Sequence, residues 1–459
     1  MQVDVERLID DRPISALQVR VFILCALVAV LDAVDSQSIG VAGPLIAQGL
    51  KMSPAAFSPA YSAGLLGAAI GALAFGPISD RFGRKPMLVF TTFLFGVFTC
   101  ITVLADSFPL LVTYRFIAGL GLGGATPCFI TMAAEYAPQR SRAMLVSLLW
   151  AGYPLGNAVG GFMTSYVVKN FHWSMVFYVG GIPTLIIAAL LLFLMPESLR
   201  LLAARGENKK AESIARRLNW QLPPGAIEIV ARLKSVPKIP LRDLFTEGRA
   251  AGTILLGFML YFGFWTTTVI VLQVPTLFRE AGIPLSTSAF LVAVYSLVAT
   301  CGMAIAGWLV KRVGPVLALV PTFIGGAVIL AALGFAASSP IAASGLMMGL
   351  GLTVSVASSG VIALAATSYP TIMRSAGTGW VMAMGRFGQV CSPLAVGLML
   401  GLGFAPDRIL AVMAFAPLLG GVCALLKATL SPSRAGAMTD APLEAEKSAR
   451  MAAPDGHAH

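Results

Sequence analysis

Charge is what this chain lacks most. Asp, Glu, Lys and Arg make up 12% of its 459 residues, about half the share found in a soluble globular domain, while 57% of residues are hydrophobic. So few charges could not cover a water-exposed surface, which excludes a soluble fold. Histidine is scarce too, with three in all, and the six cysteines (Cys25, Cys100, Cys128, Cys301, Cys391, Cys423) all sit inside apolar blocks without a Cys-x-x-Cys pair. The cysteines therefore read as reduced packing residues, and neither a metal nor a cofactor is expected. No Ser/His/Asp arrangement and no phosphate-cradling glycine loop appears, so no enzymatic chemistry is expected either.

What is present is a series of apolar blocks of about 18–25 residues, the length that crosses a ~30 Å hydrocarbon core as a helix. They read as spans at 20–46, 57–79, 86–105, 108–134, 143–168 and 174–195, then at 250–277, 286–310, 315–337, 340–368, 374–401 and 406–428. The chain is thus expected to be an all-α integral membrane protein of twelve transmembrane helices in two six-helix halves. The remaining segments are a leader at 1–19, a charged central loop at 196–249 and a tail at 429–459. The tail is rich in Ala, Pro, Glu and Ser without periodicity, and reads as disordered. The first block follows a polar leader containing Asp10, Asp11 and Arg12 and has no convincing cleavage site, so it is expected to stay as a span.

The net charge is +11, but the basic residues are scattered through short loops, which argues against nucleic acid as a partner. With the N-terminus placed inside, Lys51, Lys169, Arg279 and Arg408 fall outside and Arg115 and Arg386 within spans. The remaining Lys and Arg, among them Arg200, Arg205, Lys209 and Lys210 of the central loop, fall inside. The positive-inside rule puts both termini in the cytoplasm of a cell inner membrane; a monomer in contact with lipid is expected.

The two halves resemble each other. Gly76-Pro-Ile-Ser-Asp80-Arg81-Phe-Gly83-Arg84-Lys85-Pro86 follows span 2, and Gly307-Trp-Leu-Val-Lys311-Arg312-Val-Gly314-Pro315 follows span 8, 231 residues later. Spans 4 and 10 share Gly-Leu-Gly-Leu, at Gly119–Leu122 and Gly349–Leu352. Duplicated halves are a common plan of membrane transporters, whose site lies between the repeats. Spans 1, 4 and 11 carry ionisable residues well inside the apolar blocks: Asp32 and Asp35 on one helix face, Arg115 and Arg386. A charge inside a membrane is costly unless it is paired or faces a wet cavity. Arg115 is a charge partner within reach of Asp35. A carboxylate that alternates between burial and pairing with arginine can load and release a proton, which makes Asp32 or Asp35 the proton carrier. Arg386, a planar fork that pairs two-pronged with a carboxylate, is the candidate for a solute's acid group. Tyr153, Asn157, Tyr261, Trp265 and Tyr295 could wall a cavity in which an aromatic ring would stack. The blander reading of these charges is a static Asp35–Arg115 brace and an Arg386 that caps neighbouring carbonyls.

The segment Gly76-x-x-x-Asp80-Arg81-x-Gly83-Arg84-Lys85 resembles the loop signature of the major facilitator superfamily. In that family the acid and arginine latch helix ends together, the acid lying near the N-terminus of span 11, where a helix dipole favours negative charge. The resemblance thus implies a gating role for Gly76, Asp80, Arg81, Gly83, Arg84 and Lys85. Three further stretches resemble the aromatic acid:H⁺ symporters: Leu31-Asp32-Ala33-Val34-Asp35 with Ile39-Gly40, Glu135-Tyr-Ala-Pro138-x-Arg140-x-Arg142, and Gly385-Arg386-x-Gly388. Glu135, Arg140 and Arg142 join the gating set on that likeness. That family usually shows Asp-Gly-x-Asp in span 1; here Ala33 replaces the glycine and both carboxylates remain. Pro196-Glu197-Ser198 also resembles the sugar porters and separates nothing. The resemblance implies proton-coupled uptake of a small organic, aromatic carboxylate by alternating access, with a sugar, an aliphatic acid or an exported drug as the alternative cargo.

Overall fold

The computed structural model describes residues 2–4, 9, 14–217, 228–230, 241–246, 249–336, 339–369 and 373–430. Twelve long helical segments matching the expected spans are present among the described residues. The first six are Ala16–Gly49, Pro54–Phe82, Arg84–Ile101, Phe108–Tyr136, Gln139–Asn170 and Ser174–Leu194. The second six begin with Ala250–Glu280, followed by Leu285–Val313, Pro315–Phe335, Pro340–Ser368, Arg374–Gly401 and Pro406–Leu430. Among the described residues, eleven helices are both long and apolar enough to cross a membrane. Span 11 is as long, at 28 residues, but gives part of its composition to Arg386, Gln389 and glycines.

Two spans are broken where the sequence reads as continuous. In span 7 a π turn, Val269–Gln273, separates Ala250–Thr268 from Val274–Glu280; Pro275, in the first turn of the second piece, has no N–H to continue the ladder. Span 12 pauses at Ala414 between Pro406–Met413 and Phe415–Leu430, because the Pro417 ring crowds the carbonyl of Met413 four residues back. Outside the spans, Leu199–Ala204 and Asn208–Arg217 are short helices. Also outside the spans, Gln2–Asp4 pairs in parallel with Glu228–Val230, which ties leader to central loop. The expected tail lies outside the described residues beyond Leu430.

Glycines let the helices approach closely. A Cβ on Gly119 or Gly123 of span 4 would collide with the span 2 backbone at Gly64 or Ala68, the small-residue contact that membrane helices favour. Gly83 and its repeat partner Gly314 both hold positive φ, +119° and +85°, a conformation that costs glycine little.

Among the described residues, the two helical bundles pack on each other towards one end. Call the end that carries both termini and the central loop the terminal end, and the other the far end. One apolar cluster at the far end draws on both halves, uniting Ile39, Ile46 and Phe57 with Val274, Phe278 and Val292. Towards the terminal end the apolar residues divide into a cluster of the first half, around Leu88, Met132 and Leu191, and one of the second, around Leu260, Phe323 and Val361. Inter-half hydrogen bonds follow the same pattern. Ser62 Oγ donates to Val390 O (2.9 Å), Ser165 Oγ to Ser286 O (2.8 Å) and Arg279 Nη2 to Gln48 Oε1 (2.7 Å), and Tyr61 Oη lies 3.3 Å from Thr276 Oγ1. The space between the halves therefore opens towards the terminal end.

Candidate functional site

Asp35 is fully committed. Arg115 reaches it with both prongs, Nη2 to Oδ2 at 2.7 Å and Nη1 to Oδ1 at 3.2 Å, and Thr99 Oγ1 donates to Oδ1 at 3.0 Å. Asp35 is 1% and Arg115 5% exposed. A two-pronged, hydrogen-bonded pair of this kind offsets much of the cost of burying two charges. It also leaves Arg115 with little capacity for another carboxylate.

Asp32, one turn away on the same helix, differs. It is 6% exposed and its Oδ1 has no hydrogen-bond partner. The cation within its electrostatic reach is Arg386 of span 11, on the other half of the molecule. Arg386 is half-buried, and its Nη1 donates to Gln389 Oε1 of its own helix at 3.1 Å. It holds this position because Gly385 and Gly388 press span 11 onto span 7. A Cβ on Gly388 would meet the Tyr261 carbonyl, and one on Gly385 would lie 2.9–3.1 Å from Phe264 and Leu260.

The same device sets the opposite wall. Gly156 and Gly160 of span 5 seat that helix against Val30, Ala33 and Val34 of span 1. This brings Tyr153 beside span 1, where its hydroxyl lies 3.4 Å from Ser36 Oγ and both Asp32 and Arg386 act on it. Asn157, one turn on, is 4% exposed with Oδ1 unpartnered. Tyr261 and Trp265 of span 7 are half-buried with ring centroids 5.7 Å apart, and Trp265 Nε1 lacks a partner. Tyr295 is 2% exposed within the far-end apolar cluster; it packs in the core rather than walling an open space. The structure thus brings Asp32, Tyr153 and Arg386 together and sets Asp35–Arg115 behind them.

At the terminal end, Arg84 pairs with Glu135, and Ser198 Oγ donates to the other oxygen of the same carboxylate. Glu197, which sequence reasoning set aside, organises this end. Its Oε1 accepts the backbone N–H groups of Arg84 (3.1 Å), Lys85 (3.1 Å) and Ser198 (2.8 Å), so it caps span 3 with negative charge at the favoured helix end. Tyr136 Oη donates to Glu197 O (2.6 Å), and Gln18 Nε2 to Tyr136 O (2.8 Å). The signal was in the sequence: an acid after span 6 faces a helix start whose free N–H groups need an acceptor. Asp80 is placed differently from what the family resemblance implies. Its side chain is 67% exposed and bonded to Arg84 at 3.4 Å, not packed on span 11. Arg81 lies over the Phe82 ring, and Arg205 Nη2 donates to the carbonyls of Asp80 and Arg81. Arg140 is exposed, and Arg142 reaches the Ala137 carbonyl of its own turn at 3.4 Å. The described residues contain no group of His, Cys, Asp and Glu arranged to hold a metal ion.

The profile of the Major Facilitator Superfamily matches residues 25–393 and 254–450. The 4-hydroxybenzoate transporter PcaK of Pseudomonas aeruginosa is 31% identical over 442 residues, covering 95% of this chain and 98% of that protein. A gallate transporter of Pseudomonas putida is 32% identical over 406 residues, 87% of this chain and 90% of that one. The crystal structure of a D-xylose-proton symporter superposes with a TM-score of 0.69 at 20% identity, over 90% of this chain and 97% of that one, a likeness of fold alone. With that profile running through both halves, the chain belongs to the Major Facilitator Superfamily, a family of transporters and not of enzymes.

Proposed function

We propose that this protein takes up an aromatic carboxylate together with protons across the cell inner membrane, working as a monomer by alternating access. The observation that carries the reading is the unequal state of the two acids of span 1. Asp35 is saturated by Arg115 and Thr99, whereas Asp32 is buried with an unpartnered oxygen, and Arg386, whose charge acts on it, forms no salt bridge among the described residues. Asp32 carries the proton; Asp35 and Arg115 hold span 1 in place; Arg386 binds the solute's carboxylate while Tyr261 and Trp265 stack on its ring.

One arginine serving two anions provides the coupling. While Arg386 is free, its charge favours ionised Asp32. Once a carboxylate neutralises it, the buried acid loses that support and takes up a proton. The pair then crosses as a neutral unit, avoiding about 2.3 kcal/mol per uncompensated charge per 100 mV.

Support for the cargo comes from relatives named for 4-hydroxybenzoate and gallate transport. Basic loops support a cytoplasmic terminal end, which makes the structure an inward-open state. In that state the exposed Asp80, bonded to Arg84, is poised: on closure it reaches the N-terminus of span 11 near Arg374, with Gly76, Arg81, Gly83, Arg84 and Lys85 shaping the loop and Glu135, Arg140 and Arg142 its neighbours. The test is uptake of labelled 4-hydroxybenzoate into proteoliposomes under an imposed pH gradient, acid outside. Accumulation that an ionophore collapses is expected; no uptake of any aromatic acid under the gradient would overturn the reading.

A further inference from the structure

Beyond the charges, the contact between spans 1 and 5 holds hydrogen-bonding groups with nothing to bond. Gln37 is 0% exposed, and both its amide nitrogen and its amide oxygen lack partners. It faces span 5 at Gly160, where a built Cβ would stand 3.4 Å from the Gln37 Cβ. One turn to the terminal side of Gly160 is Asn157, 4% exposed with Oδ1 unpartnered; one turn to the far side is Thr164, 0% exposed with Oγ1 unpartnered. These positions follow Tyr153 at helical spacing on one face of span 5. Span 8 closes the third side, since Gly161 lies against Ala289 and Ala293.

Three neutral side chains, two amides and a hydroxyl, thus stand buried with unpartnered atoms on successive turns of this contact, Gln37 at the level between Asn157 and Thr164. Buried polar groups in folded proteins find partners as a rule, so this cluster is built for an occupant. No formal charge lies within it, so the occupant's group is neutral, and amides that both donate and accept suit a hydroxyl, which does the same. The depth fits. Gln37 lies five residues beyond Asp32 on span 1, and Asn157 four beyond Tyr153 on span 5, a rise of about 6–8 Å. That is the distance from a carboxylate across one benzene ring to a para substituent.

We infer that Gln37, with Asn157 and Thr164, forms a hydroxyl-reading subsite that selects ring-hydroxylated aromatic acids, an assignment that rests on the carboxylate function proposed above. An acid held by Arg386 projects its ring past Asp32, and its hydroxyl meets Gln37. An analogue with a methyl group in that place fills the same volume but leaves the amides unmet. Discrimination against a missing hydrogen bond is far steeper than against a missing methylene.

The test compares 4-hydroxybenzoate with 4-methylbenzoate, equal in size, for binding to purified full-length protein. The wild type is expected to favour the hydroxyl by at least tenfold, equivalent to about 1.4 kcal/mol. Gln37→Leu should bring the ratio of the two dissociation constants towards one or invert it, and Gln37→Asn should restore part of the preference. A wild type that binds both acids equally overturns the subsite, as does a Gln37→Leu protein with an unchanged ratio. If the leucine variant does not fold, Asn157→Leu and the wild-type ratio decide in the same way. A wild type that binds neither acid fails the carboxylate function itself, an outcome separate from loss of discrimination.

Discussion

The two halves share a scaffold and divide the chemistry. Gly263 and Thr266 stand at the repeat spacing of 231 residues from Asp32 and Asp35, and Gly152-Tyr153 of span 5 corresponds to Gly385-Arg386 of span 11. Gly83 and Gly314 keep the same positive-φ turn. Around it the first half builds a network of Arg84, Glu135, Glu197 and Ser198, whereas the second has Lys311 in place of Asp80 and Pro315 in place of Arg84. In the proposed function, symmetry supplies the backbone for rocking, and asymmetry supplies a place where the solute's anion and the proton meet from opposite sides.

Arg386→Ala tests the second half's contribution and should have the largest effect. Uptake of the aromatic acid should fall to background while the melting temperature holds, because among the described residues Arg386 forms no salt bridge that its loss would break. Next is the contrast within span 1. Asp35→Asn leaves Arg115 buried without its counter-charge and should cost about 3–5 kcal/mol, seen as a large drop in thermal stability. Asp32→Asn removes no ion pair and should leave stability unchanged while abolishing the response to pH. If the two variants melt alike, the division between brace and carrier is wrong.

Arg279→Ala probes the seam where the halves join. Gln48 and Arg279 are repeat-equivalent residues bonded across the pseudo-twofold, so the variant should spend more time open at the far end. A cysteine placed at Ser58, inside the span 2–span 11 contact, should then react several-fold faster with a membrane-impermeant thiol reagent. The smallest effect separates the two turns. Gly83→Ala, at φ +119° and with Glu197 Oε2 only 2.6 Å from the new Cβ, should destabilise by about 1 kcal/mol more than Gly314→Ala, which has open space around it.

Much of this was legible in the sequence. Run lengths located the spans because the bilayer has a fixed thickness, and the search for partners among scarce intramembrane charges matched Asp35 with Arg115. The repeat made the equivalence of Gly83 and Gly314 readable. Other features turn on contacts that no spacing reveals. Glu197 acts on a helix start 112 residues earlier in the chain, and Tyr295 reads as a cavity aromatic until the core closes over it. The sequence also cannot say which end of the bundle is shut, because one chain must adopt both arrangements. Asp80 therefore looked like a latch fixed to span 11, whereas its side chain is exposed and bonded to Arg84.

The central claim is that Asp32 carries the proton while Arg386 holds the acid. Its most direct test is Asp32→Asn in proteoliposomes, assayed in parallel for uphill uptake driven by a pH gradient and for exchange of labelled against unlabelled 4-hydroxybenzoate without a gradient. Loss of uphill uptake with exchange retained is the predicted result; accumulation at the wild-type level, with the wild-type dependence on pH, would contradict it.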